Sequence, residues 1–156
     1  MKKNLIGLDK EQSLELAEAL NNLLANYQVF YMNTRGYHWN IKGKKFFELH
    51  AKFEEIYTYL QLKIDEIAER ILTLEVQPLH SFSQYLERSK ISEHTNATDG
   101  DSTMKGLVEG FSLLIGQQRK VLSYASEVGD EGTAALMSDY IREQEKLIWM
   151  LSAWLD

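Results

Sequence analysis

HWNIKGKKFFELHAKFEEIYTYLQLKIDEIAER, residues 38 to 70, decides the architecture. From near Lys44 to past Arg70, apolar residues recur at Leu49, Phe53, Ile56, Leu60, Ile64, Ile67, Ile71 and Leu74. That three-and-four spacing predicts one long helix with a buried stripe. A second set of residues shares the helix. His50 and Glu54 form an i,i+4 pair, and so do Asp65 and Glu69, so each pair can aim at one point. At about 100° per residue, Glu54 and Asp65 differ by only about 20° around the axis, which puts both pairs on one face. Along the axis His50 and Asp65 stand roughly 22 Å apart, too far for one ion to be held by both pairs of a single copy.

The two pairs can meet across a symmetry axis. Positions 50, 54, 65 and 69 have their midpoint near Tyr59 and Leu60. A two-fold axis crossing there lays a second copy antiparallel, with its Asp65 and Glu69 opposite the first copy's His50 and Glu54. Closed two-fold dimers are the commonest oligomers, and two identical shared sites would result. Thr58 and Gln61 suit such a contact, which is not wholly apolar. Taken singly, an acidic i,i+4 pair is ordinarily solvated surface and a His near a Glu is ordinarily a hydrogen-bonded pair. The joint spacing adds weight to a metal-ligand reading but does not by itself carry it.

Upstream, Asp9 is placed to cap a first helix, with Gln12 in capping-box position. Leu16, Leu20, Leu23, Tyr27 and Phe30 carry its stripe to about Tyr37 or His38. A connection as short as Asn40 to Gly43 makes the two helices antiparallel neighbours. His38 then approaches the start of the second helix and His50, although a His at a helix C-terminus also simply suits the dipole.

The run resembles the signature of the Dps family of miniferritins. The matching residues are His38-Trp39-Asn40, Gly43, Phe46, Leu49-His50, Phe53, Tyr57, Asp65 and Ile67-Ala68-Glu69-Arg70, and the likeness extends to Trp149-Met150. It implies a ferritin-like four-helix bundle and a hollow shell of twelve subunits. Ferrous iron would bind at the dimer interface, be oxidised there, preferably by hydrogen peroxide, and be stored as ferric mineral. The ligands it implies are His38, His50 and Glu54 from one subunit, and Asp65 and Glu69 from its partner. Many relatives carry Asp where this chain has Glu54, whose longer side chain keeps the chemistry and shifts the second metal position. The resemblance also places Trp39 near the centre, where it could intercept oxidising radicals.

Downstream, Thr73 to Gly100, with Pro78 early in it, breaks the helical pattern, with a brief helix expected at Ser83 to Arg88. A loop this long needs a purpose in a compact domain. Returning along a 30-residue helix of roughly 45 Å takes at least about 13 extended residues, so the segment reads as a single long crossover. His80 and His94 lie in it without a carboxylate or His at useful spacing and read as surface residues. Asn96 opens a formal glycosylation acceptor, irrelevant in a cytoplasmic protein.

The third long helix starts near Asp101 or Ser102, carries Met104, Leu107, Phe111, Leu114, Leu122 and Ala125, and ends at Gly129 as a left-handed residue. Asp130 caps the fourth, which carries Leu136, Tyr140, Leu147, Leu151 and Trp154. Asp130, Glu131 and Asp139 read as a capped, solvated acidic turn; the other reading is an acidic pore where three subunits meet. The whole reads as one all-α domain, residues 1–156.

Composition narrows the class. With 44% hydrophobic residues, one Pro and nine Gly, the 156-residue chain is globular and mostly helical. No stretch of 18 apolar residues occurs and the start lacks a signal-peptide core, so a cytoplasmic location is expected. The absence of Cys excludes disulfides and thiolate ligands. Two imidazoles and three carboxylates suit Fe(II), Mn(II), Zn(II) or Co(II), without choosing among them. The competing function, a DNA-compacting nucleoid protein, is disfavoured by charge. At −6 per chain a twelve-subunit shell carries about −72, and only Lys2 and Lys3 stand well ahead of the first helix.

Overall fold

The computed structural model describes residues 2–156. Helices α1 (Lys10–Asn40) and α2 (Phe46–Thr73) form one hairpin, and α4 (Gly100–Glu127) and α5 (Glu131–Leu155) form the other. The short α3 (Phe82–Arg88) lies on the crossover between them and packs against α1. The result is the expected all-α, four-helix bundle with one long crossover.

Local chemistry marks the helix boundaries. Asp9 Oδ1 accepts from Gln12 N (2.9 Å), Asp99 Oδ2 from Ser102 N (2.8 Å) and Asp130 Oδ1 from Thr133 N (3.0 Å). Each satisfies an orphan N–H of a first turn. Gly129 adopts φ +79° between α4 and α5, a conformation that costs glycine little. With Asp99 as cap, α4 begins one residue ahead of the expected Asp101. α1 runs on to Asn40, past the expected end at about Tyr37 or His38, so His38 lies inside its last turn.

The core follows the stripes. Leu16, Leu20, Leu23, Tyr27, Phe30, Leu49, Phe53, Ile56, Leu60, Ile67, Ile71 and Leu74 are buried, and Phe30 meets Phe111 edge-on at 5.0 Å. Gly106 and Gly110, one turn apart on α4, let α1 approach closely: an added Cβ would collide with the Tyr37 hydroxyl and the Phe30 ring respectively. Leu122, Leu136, Leu147 and Trp154 are only half-buried, while Val121 and Met137 are buried beside them. The inward faces of α4 and α5 are therefore turned by about one residue from the expected stripe at these places.

α1 is also covered by the crossover. Asn21 Oδ1 accepts from Leu79 N (2.9 Å), Asn26 Oδ1 from Lys90 N (2.6 Å) and Asn33 Oδ1 from His94 N (2.9 Å). These buried asparagines take loop N–H groups as donors and so tie the crossover to α1.

Two readings are corrected here. His94 is not a free surface residue: its ring packs edge-on to Tyr37 at 5.3 Å, with Nδ1 2.5 Å from the Tyr37 hydroxyl. The pairing was invisible in spacing because 57 residues of loop and helix separate the two. Asp130 is 2% exposed and committed to Thr133 and Arg70, so it does not line a surface with Glu131. Asp139 pairs with Arg142 on the surface (3.1 Å).

Candidate metal centre

The last turn of α1 and the first turns of α2 face each other across the short connection, which brings His38 and His50 together. Their rings stack 3.9 Å apart, 12° from parallel. His38 Nδ1 lies 2.7 Å from the His50 carbonyl oxygen, and His50 Nδ1 lies 2.7 Å from the His38 carbonyl oxygen. A carbonyl oxygen only accepts, so both Nδ1 atoms carry hydrogen. With Nδ1 used in this way, Nε2 is the ring atom left to a metal.

Neighbouring residues hold this geometry. Phe46, one turn before His50, stacks on its ring at 4.9 Å. Tyr57 meets His38 edge-on at 5.3 Å. The Arg35 guanidinium lies over the rings of Tyr57 (5.1 Å), Trp39 (5.2 Å) and Tyr31 (5.9 Å), and its Nη1 donates to Tyr31 Oη at 2.7 Å. These supporting contacts were not assigned from the sequence. Phe46 is the one that i,i+4 spacing to His50 could have shown; Arg35 and Tyr57 meet only through the hairpin. Trp39 is exposed beside this cluster.

Glu54 Oε1 stands 3.7 Å from His38 Nε2, while its side chain remains largely exposed. At this end of α2 the two stacked rings lie together, and Glu54 approaches His38. Asp65 and Glu69 do not join them; both are exposed, further along the same helix. Among the described residues, no three His, Asp or Glu side chains of one copy converge as a metal site. Arg70, next to Glu69, turns away from that face: Nη2 pairs with buried Asp130 at 2.7 Å and Nε donates to Thr133 Oγ1 at 2.9 Å. Gly132 leaves room for its guanidinium. The helix end that carries Asp65 and Glu69 is pinned to α5 in this way.

The family description of a ferritin-like domain matches residues 17–156. The chain is 42% identical to a DNA protection during starvation protein of Porphyromonas gingivalis, over 95% of this chain and 93% of that one. It superposes with a TM-score of 0.99 and 74% identity on a Dps protein from Vibrio cholerae, described as a member of a broad superfamily of ferritin-like diiron-carboxylate proteins. The match covers 100% of this chain and 98% of that one. A Dps protein from Bacillus brevis gives a TM-score of 0.90 at 34% identity, covering 94% and 98%. Among the described residues no helix is long and apolar enough to cross a membrane. With its bundle, its crossover helix and its paired histidines, the chain belongs to the Dps family of ferritin-like proteins.

Proposed function

We propose that this protein is an iron-oxidising and iron-storing cage, with sites shared between two-fold-related copies. His38, His50 and Glu54 of one copy bind ferrous iron together with Asp65 and Glu69 of another. Hydrogen peroxide is the oxidant, and the ferric product is stored inside a shell of twelve subunits. The observation that supports this reading is the reciprocal Nδ1-to-carbonyl exchange, which leaves both Nε2 atoms open to a ligand, that of His38 3.7 Å from Glu54.

In this reading the two imidazoles fix the site's position, since their rings are locked by stacking and by backbone acceptors. The carboxylates of Glu54, Asp65 and Glu69 favour the ferric product over the ferrous reactant, because negative charge interacts more strongly with the higher ionic charge. Fe(II) is the substrate, and borderline-to-hard donors without thiolate suit both of its oxidation states.

Co-assembly tests the sharing. His50→Ala and Asp65→Ala shells should each lose peroxide-driven ferric absorbance. Mixed shells, made by refolding the two variants together, should regain part of it, because some pairs combine an intact histidine end with an intact carboxylate end. Mixed shells no more active than either parent would rule out a shared site.

A further inference from the structure

Midway along the bundle lies a set of titratable groups that the iron site does not use. Tyr27 and Tyr140 are buried, with ring centroids 6.3 Å apart. Tyr140 Oη donates to Glu66 Oε1 at 2.7 Å, and Tyr59 Oη donates to Glu143 Oε1 at 2.9 Å. Gln144 Nε2 reaches Tyr27 Oη (2.7 Å) and Tyr59 Oη (3.3 Å), so one amide links two phenols. Lys63 Nζ stands 3.4 Å from Glu66 and 3.7 Å from Glu143 and lies over the rings of Tyr59 and Tyr140. The lysine offsets one of the two carboxylate charges. Burial pushes the Tyr27, Tyr59 and Tyr140 phenols well above their ordinary range, so none of them loses its proton by simple ionisation near neutral pH.

A phenol whose hydroxyl already points at a carboxylate within hydrogen-bond reach can lose an electron and hand over its proton in one step. Tyr59 has that arrangement and also sits on α2, the helix that carries Glu54, Asp65 and Glu69. It lies roughly 8 Å along the axis from Glu54 and roughly 9 Å from Asp65, on the inward side. Gln144 links its hydroxyl to that of Tyr27, and Lys63 lies over both its ring and that of Tyr140.

We propose that Tyr59, with Glu143 as its proton acceptor, supplies one electron to the oxidant formed when a single ferrous ion meets hydrogen peroxide at the interface site. The inference rests on the ferrous-oxidation reading above. One ferrous ion gives one electron to peroxide, which breaks the O–O bond and leaves a ferric ion, a hydroxide and a hydroxyl radical. Tyr59 gives the second electron: the hydroxyl radical becomes hydroxide, the phenol becomes a tyrosyl radical, and the phenolic proton moves to Glu143. A second ferrous ion later reduces the tyrosyl radical, and Glu143 returns the proton. With two further protons from solvent for the two hydroxides, the sum is one peroxide and two ferrous ions giving two ferric ions and two waters. A site holding only one ferrous ion thereby completes the two-electron reduction without releasing the radical.

The test is freeze-quench electron paramagnetic resonance on the assembled protein, loaded anaerobically with substoichiometric Fe(II) and mixed with excess hydrogen peroxide. Ferric absorbance is followed in parallel. The native protein should show a tyrosyl signal, assigned by ring-deuterated tyrosine. Tyr59→Phe, which keeps the ring, should lose most of that signal while still oxidising Fe(II). Glu143→Gln should lower it as well, which a purely structural role of Glu143 does not require. An undiminished tyrosyl signal in Tyr59→Phe, or ferric absorbance without any tyrosyl signal in the native protein, overturns the proposal and leaves the shared site standing. Failure of the native protein to oxidise Fe(II) overturns both.

Discussion

His38 and His50 each do two jobs with one ring. Nδ1 meets a backbone carbonyl, and Nε2 is the atom left for the proposed ligation. Replacing His50 by Ala removes the stack on His38 and on Phe46 along with the proposed ligand, so peroxide-driven ferrous oxidation should fall by at least about tenfold, as loss of oriented ligation usually does. Phe46→Leu should have a milder effect: it keeps an apolar side chain but frees the His50 ring to rotate. Its expected signature is weaker Fe(II) or Co(II) binding, roughly tenfold by anaerobic titration, with folding retained. Four of the five candidate ligands were picked out by helical intervals, His50 to Glu54 and Asp65 to Glu69, whereas His38 was picked out only by the family resemblance. The residues that orient them were not. Tyr57 and Arg35 act through contacts between helices, and nothing in the interval from Arg35 to Tyr57 shows that their side chains touch.

Between elements, the most committed contact is Arg70 with Asp130. A carboxylate 2% exposed caps α5 and takes its counter-charge from the end of α2. Arg70→Met leaves that carboxylate buried without its cation and should cost roughly 3 kcal/mol, read as a lower denaturation midpoint. Gly110→Ala tests the α1–α4 approach. The new methyl group meets the Phe30 ring and should destabilise by roughly 1–3 kcal/mol, the ordinary range for overpacking. The helices themselves were legible in the sequence, since Asp9, Gly129 and Asp130 each mark a boundary by their own chemistry. What binds the crossover to α1 was not. Asn21, Asn26 and Asn33 look like polar residues on a helix surface until the loop that covers them is in place. The acidic trio near the α4–α5 turn separated for the same reason: Asp130 is drawn inward by an arginine 60 residues away.

For the molecule as a whole, the buried phenols set an alkaline limit. Tyr27, Tyr59 and Tyr140 bind their protons more tightly folded than at the ordinary value near 10.0, chiefly because burial disfavours the phenolate. A group raised in this way contributes its full stability below the unfolded value and loses it progressively as pH rises above that value. Stability should therefore be flat in this respect up to about pH 10 and fall beyond it. Tyr59→Phe combined with Tyr140→Phe should flatten that fall in denaturation curves taken at successive pH. At the same scale, the distance along α2 between its histidine end and its Asp65 end changes how defects are inherited. In randomly mixed shells under the shared-site reading, a chain lacking only Asp65 disables one site wherever it is placed, so activity declines in simple proportion to its abundance. A chain lacking both His50 and Asp65 silences both sites of every pair it enters, so activity follows the square of the normal fraction. Two variants that are equally null as pure shells thus differ in dominance: mixed equally with the normal chain, the single lesion leaves about half of the activity and the double lesion about a quarter.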